Sequence, residues 1–316
     1  MMKKFILKVL FFSLPILIVS IMLELLLQNI PNDYSYKNDY LDENAEKIET
    51  LILGSSHSFY GVDPVYFSGQ SFNASQISQP LNFDFEILKK YEESFQELKT
   101  IVLPISYFSL YYNLETSVEF WRVKNYMIYY DLNSSESLED YSEVLSNKLN
   151  INLKKLMRCY VNNDKAIFCS EKGWGTSYKS ENAVDLLKAG PIAAKIHTKE
   201  RDSSVVQEVF KENVQVLNSL LGWSEKRNIK VLLFTPPAYH TYYENLDDEQ
   251  LSITLDKTRK ICSKYDNCIY NNMMRDTSFV AADFFDSDHL SEVGTKKLSI
   301  LLNDQITNWG KVPPGK

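Results

Sequence analysis

Short apolar runs that stop at glycine, proline or serine alternate along this chain with amphipathic stretches, and that alternation leaves few folds open. Thr50-Leu51-Ile52-Leu53 ends at Gly54 and a serine-rich turn. Ser71-Phe72-Asn73-Ala74 reads as a second strand and residues 100–105 as a third. Val231-Leu232-Leu233-Phe234-Thr235, broken by Pro236-Pro237, reads as a fourth, and Cys268-Ile269-Tyr270 as a fifth. Between them, Asp63-Pro64 opens a helix with Asp as cap and Pro at its first position. Residues 83–98 place Phe85, Leu88, Tyr91, Phe95 and Leu98 at helical spacing, and 205–227, 251–264 and 291–309 read as further helices. Strands that are apolar throughout lie in a sheet covered on both faces, so the pattern predicts an α/β fold, a three-layer α/β/α sandwich with a mostly parallel central sheet. Residues 112–200 interrupt it. With Trp121, an aromatic run at 126–130 and Gly173-Trp174-Gly175, they read as a mostly helical insertion, the kind that forms lids or substrate walls.

The N-terminus sets the compartment. Lys3 and Lys4 precede an apolar run over 5–27, long enough for the roughly 20 residues that cross a bilayer core. Lys8 and Glu24 interrupt it near its two ends, where both can snorkel. Basic residues before the run and Asp33, Asp39, Asp42 and Glu43 after it favour a cytoplasmic N-terminus. The run leaves through Glu24-Leu25-Leu26-Leu27-Gln28 without a small-x-small cleavage site, which favours an uncleaved single-pass anchor over a signal peptide. The expected plan is an anchor at 1–28, a polar tether at 29–48 and an extracytoplasmic domain at 49–316. Net charge is -7, from 34 Lys+Arg against 41 Asp+Glu, so no phosphate-tracking surface and no nucleic-acid partner is expected. The 20 Tyr and 17 Phe suit an ordinary core first and stacking on sugar rings second. Cys159 with Cys169 and Cys262 with Cys268 form close pairs that an exported domain can oxidise, or that stay buried thiols; their spacing speaks against a zinc site.

Two segments could carry chemistry. In Leu51-Ile52-Leu53-Gly54-Ser55-Ser56-His57-Ser58 a strand runs into a tight turn, which puts Ser56 at the carboxyl edge of a parallel sheet, where ligands bind in such folds. Such turns usually only reverse the chain. Asp283-Phe284-Phe285-Asp286-Ser287-Asp288-His289-Leu290-Ser291, just before the last helix, answers it. A serine nucleophile needs a base, and an imidazole base needs a carboxylate that fixes its tautomer; Asp286 and His289 can supply both. The same acids could instead bind a hard cation. That alternative leaves the Gly54-Ser55-Ser56 turn unexplained, so no metal and no cofactor is expected. His57 reads evenly as a loop residue or a substrate contact. His240 ends a later strand at the same sheet edge, as a loop residue or a substrate contact, and His197 reads as structural.

Ser56 in the first strand-to-helix turn and Asp286 with His289 before the last helix resemble the opening and closing motifs of the SGNH (GDSL-like) hydrolases. They also resemble related proteins that acylate or de-acylate bacterial surface polysaccharides. Gly54-Ser55-Ser56 is similar to the family's Gly-Asp-Ser, with Ser55 in place of Asp. Phe72-Asn73-Ala74-Ser75-Gln76-Ile77-Ser78-Gln79 resembles the second motif, with Ser78 at or near the glycine whose N–H serves the oxyanion hole. The third motif, Gly-x-Asn-Asp, is missing; Leu103-Pro104-Ile105-Ser106-Tyr107 stands there. Losing one oxyanion donor costs about 2.7–4 kcal/mol, so Ser106 or the amide of Asn73 would have to replace it. The resemblance implies acyl transfer through Ser56, with an acyl donor and a cell-surface polysaccharide as reactants and a membrane acyl-transfer protein as partner. Hydrolysis and O-acyl transfer both remain open, with transfer slightly preferred. A catalytically silent binding or scaffolding module of a glycan-assembly complex is the alternative.

Overall fold

A computed structural model describes residues 2–164 and 166–309. The chain forms two compact units, residues 1–38 with 118–167, and residues 39–117 with 168–316.

The larger unit holds a five-stranded, wholly parallel sheet: β1 (Thr50–Ile52), β2 (Ser71–Asn73), β3 (Thr100–Pro104), β4 (Lys230–Thr235) and β5 (Cys268–Asn272), in the order β2-β1-β3-β4-β5. All five expected strands are present, each within two residues of its expected span. The order reverses between β1 and β3, and the crevice beyond the carboxyl ends of such a switch point is where doubly wound sheets bind ligands. Register sets Thr50 beside both Ser71 and Thr100, so β1 and β3 run out together at Gly54 and Pro104. Side chains alternate between the faces. Ile52, Val102, Leu232 and Phe234 pack with Leu298 and Leu302 of the terminal helix, Glu292–Thr307. Leu51, Ile101, Val231 and Leu233 point the other way, toward the side covered by the helix Ser204–Lys226 with its buried Leu217, Leu220 and Leu221. The fold is the expected three-layer α/β sandwich. Cys262–Cys268 is a disulfide closing the link from the helix Asp248–Cys262 to β5; no second disulfide forms among the described residues.

Helix α1 (Met2–Gln28) belongs to the smaller unit and is long and apolar enough to cross a membrane. Residues 29–48, expected as a tether, instead contain α2 (Asp33–Asn44) and a 3-10 turn at Ala45–Lys47. The Asn32 carboxamide accepts from the N–H groups of Tyr34 and Ser35, both at 3.0 Å, and so caps α2. Tyr34, Leu41, Ala45 and Ile48 are buried at helical spacing, a pattern that the surrounding polar residues obscure in the sequence. The expected insertion at 112–200 divides: 118–167 cluster with the N-terminal helix, and 168–200 return to the sheet unit.

The first turn after β1 is built around Gly54, whose φ of +108° is left-handed and whose missing Cβ would lie 2.4 Å from the Pro104 ring. Its N–H donates to the Asp84 carboxylate at 2.7 Å, and the Gln79 amide donates to the same oxygen at 2.5 Å. Burial pushes the Asp84 carboxyl up to about 7, against these two hydrogen bonds. An acid raised above its unfolded value of about 3.9 contributes stability that is complete below that value and fades as pH climbs through about 7. The melting temperature of the full chain is therefore expected to fall between pH 4 and 7, and Asp84→Asn, which keeps the acceptor for Gly54, should flatten that slope. Equal slopes in circular-dichroism melts of the two proteins would refute the assignment.

Candidate active site

Ser56 is the first residue of a one-turn helix, α3 (Ser56–Phe59), directly after the Gly54 turn. Its backbone N–H is one of those that the first turn of a helix leaves without an intrahelical partner. The Ser56 hydroxyl lies 2.8 Å from His289 Nε2, and His289 Nδ1 lies 3.0 Å from both oxygens of Asp286. Ser56, His289 and Asp286 thus form one continuous hydrogen-bonded chain. With the carboxylate at Nδ1, that nitrogen carries the proton and Nε2 faces the serine as acceptor in the neutral ring.

The Asp286–His289 loop makes this geometry locally. The Asp286 carboxylate accepts from the backbone N–H groups of Asp288 at 3.1 Å and His289 at 2.7 Å, folding the loop over its own acid. Phe285 N–H donates to His289 O at 3.0 Å, and an antiparallel bridge joins Phe284 to Leu290. From outside, Val184 N–H donates to Phe285 O and Tyr239 N–H to Ser287 O, each at 2.8 Å. Asp283 does not join the cluster: it accepts from Val280 N–H and pairs with Lys297, bracing the approach to the last helix.

Behind His289 sits a second group. The His57 ring stacks on His289 with centroids 4.8 Å apart, and its Nδ1 lies 2.7 Å from Ser106 Oγ. One oxygen of the buried Asp288 has three imidazole nitrogens around it: His57 Nε2 at 3.4 Å, His197 Nδ1 at 3.7 Å and His289 Nδ1 at 3.8 Å. His197 Nδ1 also meets the Tyr242 hydroxyl at 2.8 Å. His57 thus lies in α3, buried, and lines the back of the site. Sequence reasoning used Asp288 only as a candidate metal ligand and set His197 aside. The signal available for Asp288 was its place inside Asp286-Ser287-Asp288-His289. Nothing local marks His197, which reaches the cluster only because its helix, Leu186–His197, packs there.

The remaining expected residues fall as follows. Asn73 is fully buried, and its side-chain amide donates to Ser58 O and Val62 O, both at 2.8 Å. Its backbone N–H donates to Lys172 O at 2.9 Å, so its donors are committed to holding the turn and it cannot serve as the replacement oxyanion donor. Ser106 faces His57 rather than a substrate. Ser78 adopts φ +59°, the left-handed conformation that glycine takes most easily. His240 stands apart, half-buried and paired with Glu244 at 3.2 Å. Sequence reasoning also missed an aromatic wall: Tyr178 stacks between Tyr60 and Phe285, with centroids at 3.6 and 3.8 Å, and meets the His289 ring edge-on at 5.5 Å.

Electrostatics favour a charged His289. Burial opposes its charge, but the carboxylates of Asp286 and Asp288 outweigh burial and push it up to about 9. Burial holds His57 below its usual value and His197 down to about 4, so both stay neutral. Asp288, despite its burial, is held well below the usual carboxylate range, mainly by the charge of His289.

No family model and no curated protein matches the chain. Among solved structures, it is similar to a protein from Streptococcus pneumonia provisionally described as a platelet activating factor, at 11% identity and a TM-score of 0.44, over 92% of this chain and 98% of that one. It is also similar to a Bacteroides fragilis protein provisionally described as an acylhydrolase, at 10% identity and a TM-score of 0.41, over 85% of this chain and 95% of that one. The functional case is carried by this chain's own residues.

Because His289 holds a proton below about 9, its basic form grows as pH rises toward that value. The rate at which a fluorophosphonate modifies Ser56 is expected to climb with pH through an inflection near 9. Asp288→Asn removes one of the two charges that raise His289, so its profile should shift to lower pH. An unmoved inflection would show that Asp288 does not act on His289.

Proposed function

We propose that this chain is a membrane-anchored serine esterase or O-acyltransferase whose acyl group is exchanged on a cell-surface glycan. The single observation that carries the reading is the hydrogen-bonded series Ser56, His289, Asp286 at the carboxyl edge of a parallel sheet. Ser56 Oγ attacks the ester carbonyl while its proton passes to His289 Nε2. The carbonyl π electrons move to oxygen, where the Ser56 N–H, with Ser78 N–H as a second candidate, stabilises the oxyanion. Collapse expels the alcohol, which takes the proton back from His289, and leaves Ser56 acylated. A second hydroxyl then gives its proton to His289 and attacks the acyl-serine, whose acyl–Oγ bond breaks as Ser56 takes the proton back from His289; water makes the protein an esterase, and a sugar hydroxyl makes it a transferase. Asp286 fixes the ring and supports its charge throughout. An anchor whose following domain lies outside the cytoplasm suits a surface polysaccharide and a membrane protein that passes the acyl group outward, and favours transfer.

One observation favours a second reading. Asn73 and Ser106, the two groups that could have replaced the missing third-motif donor, are engaged elsewhere in the fold. A silent glycan-binding module would tolerate that loss. Labelling of the full chain with a fluorophosphonate, followed by mass spectrometry, separates the two. The active reading expects modification at Ser56, abolished in Ser56→Ala and slowed on the order of 10⁴-fold or more in His289→Ala. A folded protein that takes no label would leave the silent module.

A further inference from the structure

The smaller unit carries a row of apolar side chains that neither its core nor the proposed reaction uses. Helix α1 is joined there by a short helix, Glu143–Ser146, and by a second, Leu149–Leu156, which continues as a π-helical turn, Met157–Val161. Leu149, Leu153, Met157 and Val161 follow one another four residues apart, so they share one face. They are 46 to 70% exposed, and Leu145 beside them is 63% exposed. Lys148, Lys154 and Arg158 flank the row, all exposed, with Arg158 paired to Asp164.

The opposite side of this segment is fixed in place. Glu143 is 2% exposed and is held by Lys124 at 2.5 Å, Lys155 at 2.9 Å and the Tyr129 hydroxyl at 3.1 Å. Asn152, also buried, donates to Glu143 O at 3.0 Å. Turning the apolar row inward would break this buried ion cluster, so its outward direction is set by the fold.

The segment is also tied to a defined level of α1. The Glu24 carboxylate accepts from Ser142 Oγ at 2.7 Å and from the backbone N–H groups of Glu143 at 2.8 Å and Val144 at 2.9 Å. At the other end, the Tyr160 hydroxyl donates to Leu26 O at 2.8 Å. About 20 residues of helix, or ~30 Å, separate Lys4 from Glu24, and the hydrocarbon core of a bilayer is about 30 Å thick. Both ties therefore lie where α1 leaves the hydrocarbon. They also give Glu24 the hydrogen bonds that an acid at that depth requires.

We propose that residues 145–161 lie in the membrane interface beside the exit of α1, with the row from Leu149 to Val161 in the acyl boundary and Lys148, Lys154 and Arg158 against anionic phosphates. This rests on α1 spanning the bilayer. The occupant is a lipid surface: the row lies on a helix packed beside the apolar α1, and the flanking charge has the sign that anionic headgroups attract. A helix this short would bind lipid weakly alone, but the ties at Glu24 and Leu26 hold it there without a separate association cost.

The test is depth measurement on the full chain in vesicles of phosphatidylcholine and phosphatidylglycerol at 7:3. Nitroxide labels are attached singly at Leu149→Cys, Leu153→Cys and Met157→Cys, and at Leu14→Cys within α1, in a background in which Cys159 and Cys169 are replaced by alanine. Collisions with oxygen, which concentrates in lipid, are compared with collisions with a water-soluble nickel chelate. The proposal expects oxygen to dominate at 149, 153 and 157, less strongly than at 14. Dominance of nickel at the three sites with oxygen dominant at 14 overturns it while leaving the anchor intact. Shielding from both reagents at the three sites means a protein covers the row and also overturns it. Nickel dominance at 14 removes the spanning reading and the proposal with it.

Discussion

The candidate site depends on how closely two strands approach at one residue. β1 ends where Gly54 turns left-handed against the ring of Pro104, at a distance that no side chain tolerates. Proline suits that point of β3 because β1 has already turned away, so no ladder hydrogen bond is lost on that side. Asp84 then fixes the turn by taking the Gly54 N–H. Ser56 follows two residues later, at the start of a helix and at the rim of the sheet, so the position of its hydroxyl follows from backbone constraints.

The histidine side of the site is governed by charge. Asp286 is folded into its own loop by two backbone N–H groups and directs the ring from in front. Asp288 adds a second negative charge behind the ring, and the neutral rings of His57 and His197 pack against it. A buried carboxylate with no cation nearby would be costly, and a protonated His289 offsets that cost. The pair of acids thereby makes His289 a stronger base than a free imidazole, which suits removal of a proton from an alcohol, though it also keeps the base protonated at neutral pH.

Much of this was legible in the residues. Strand composition and the turns after each strand fixed the layers, because burial on both faces leaves a continuous apolar run in the sequence. Ser56, Asp286 and His289 stood out because each lies in a short segment whose local spacing already suits its role. The α2 helix was hidden because its buried apolar positions, Tyr34 and Leu41, are set among polar residues, which reads as a tether when composition is weighed before periodicity. Asn73 was misjudged because a motif position gives no information on where an amide's hydrogens go; Ser58 O and Val62 O take them.

The sequence by itself determined the sheet, the apolar N-terminal helix and the two segments that face each other across the site, since each is written in the periodicity or spacing of neighbouring residues. Only the tertiary structure decided that His57 lies behind His289, that His197 joins it, that Asp288 is a second charge on the base, and that Tyr178 stacks between Tyr60 and Phe285. Apart from the neighbours Asp288 and His289, those contacts join residues far apart in the chain, and which distant side chains share a buried space depends on how helices pack on the sheet, which no local pattern encodes.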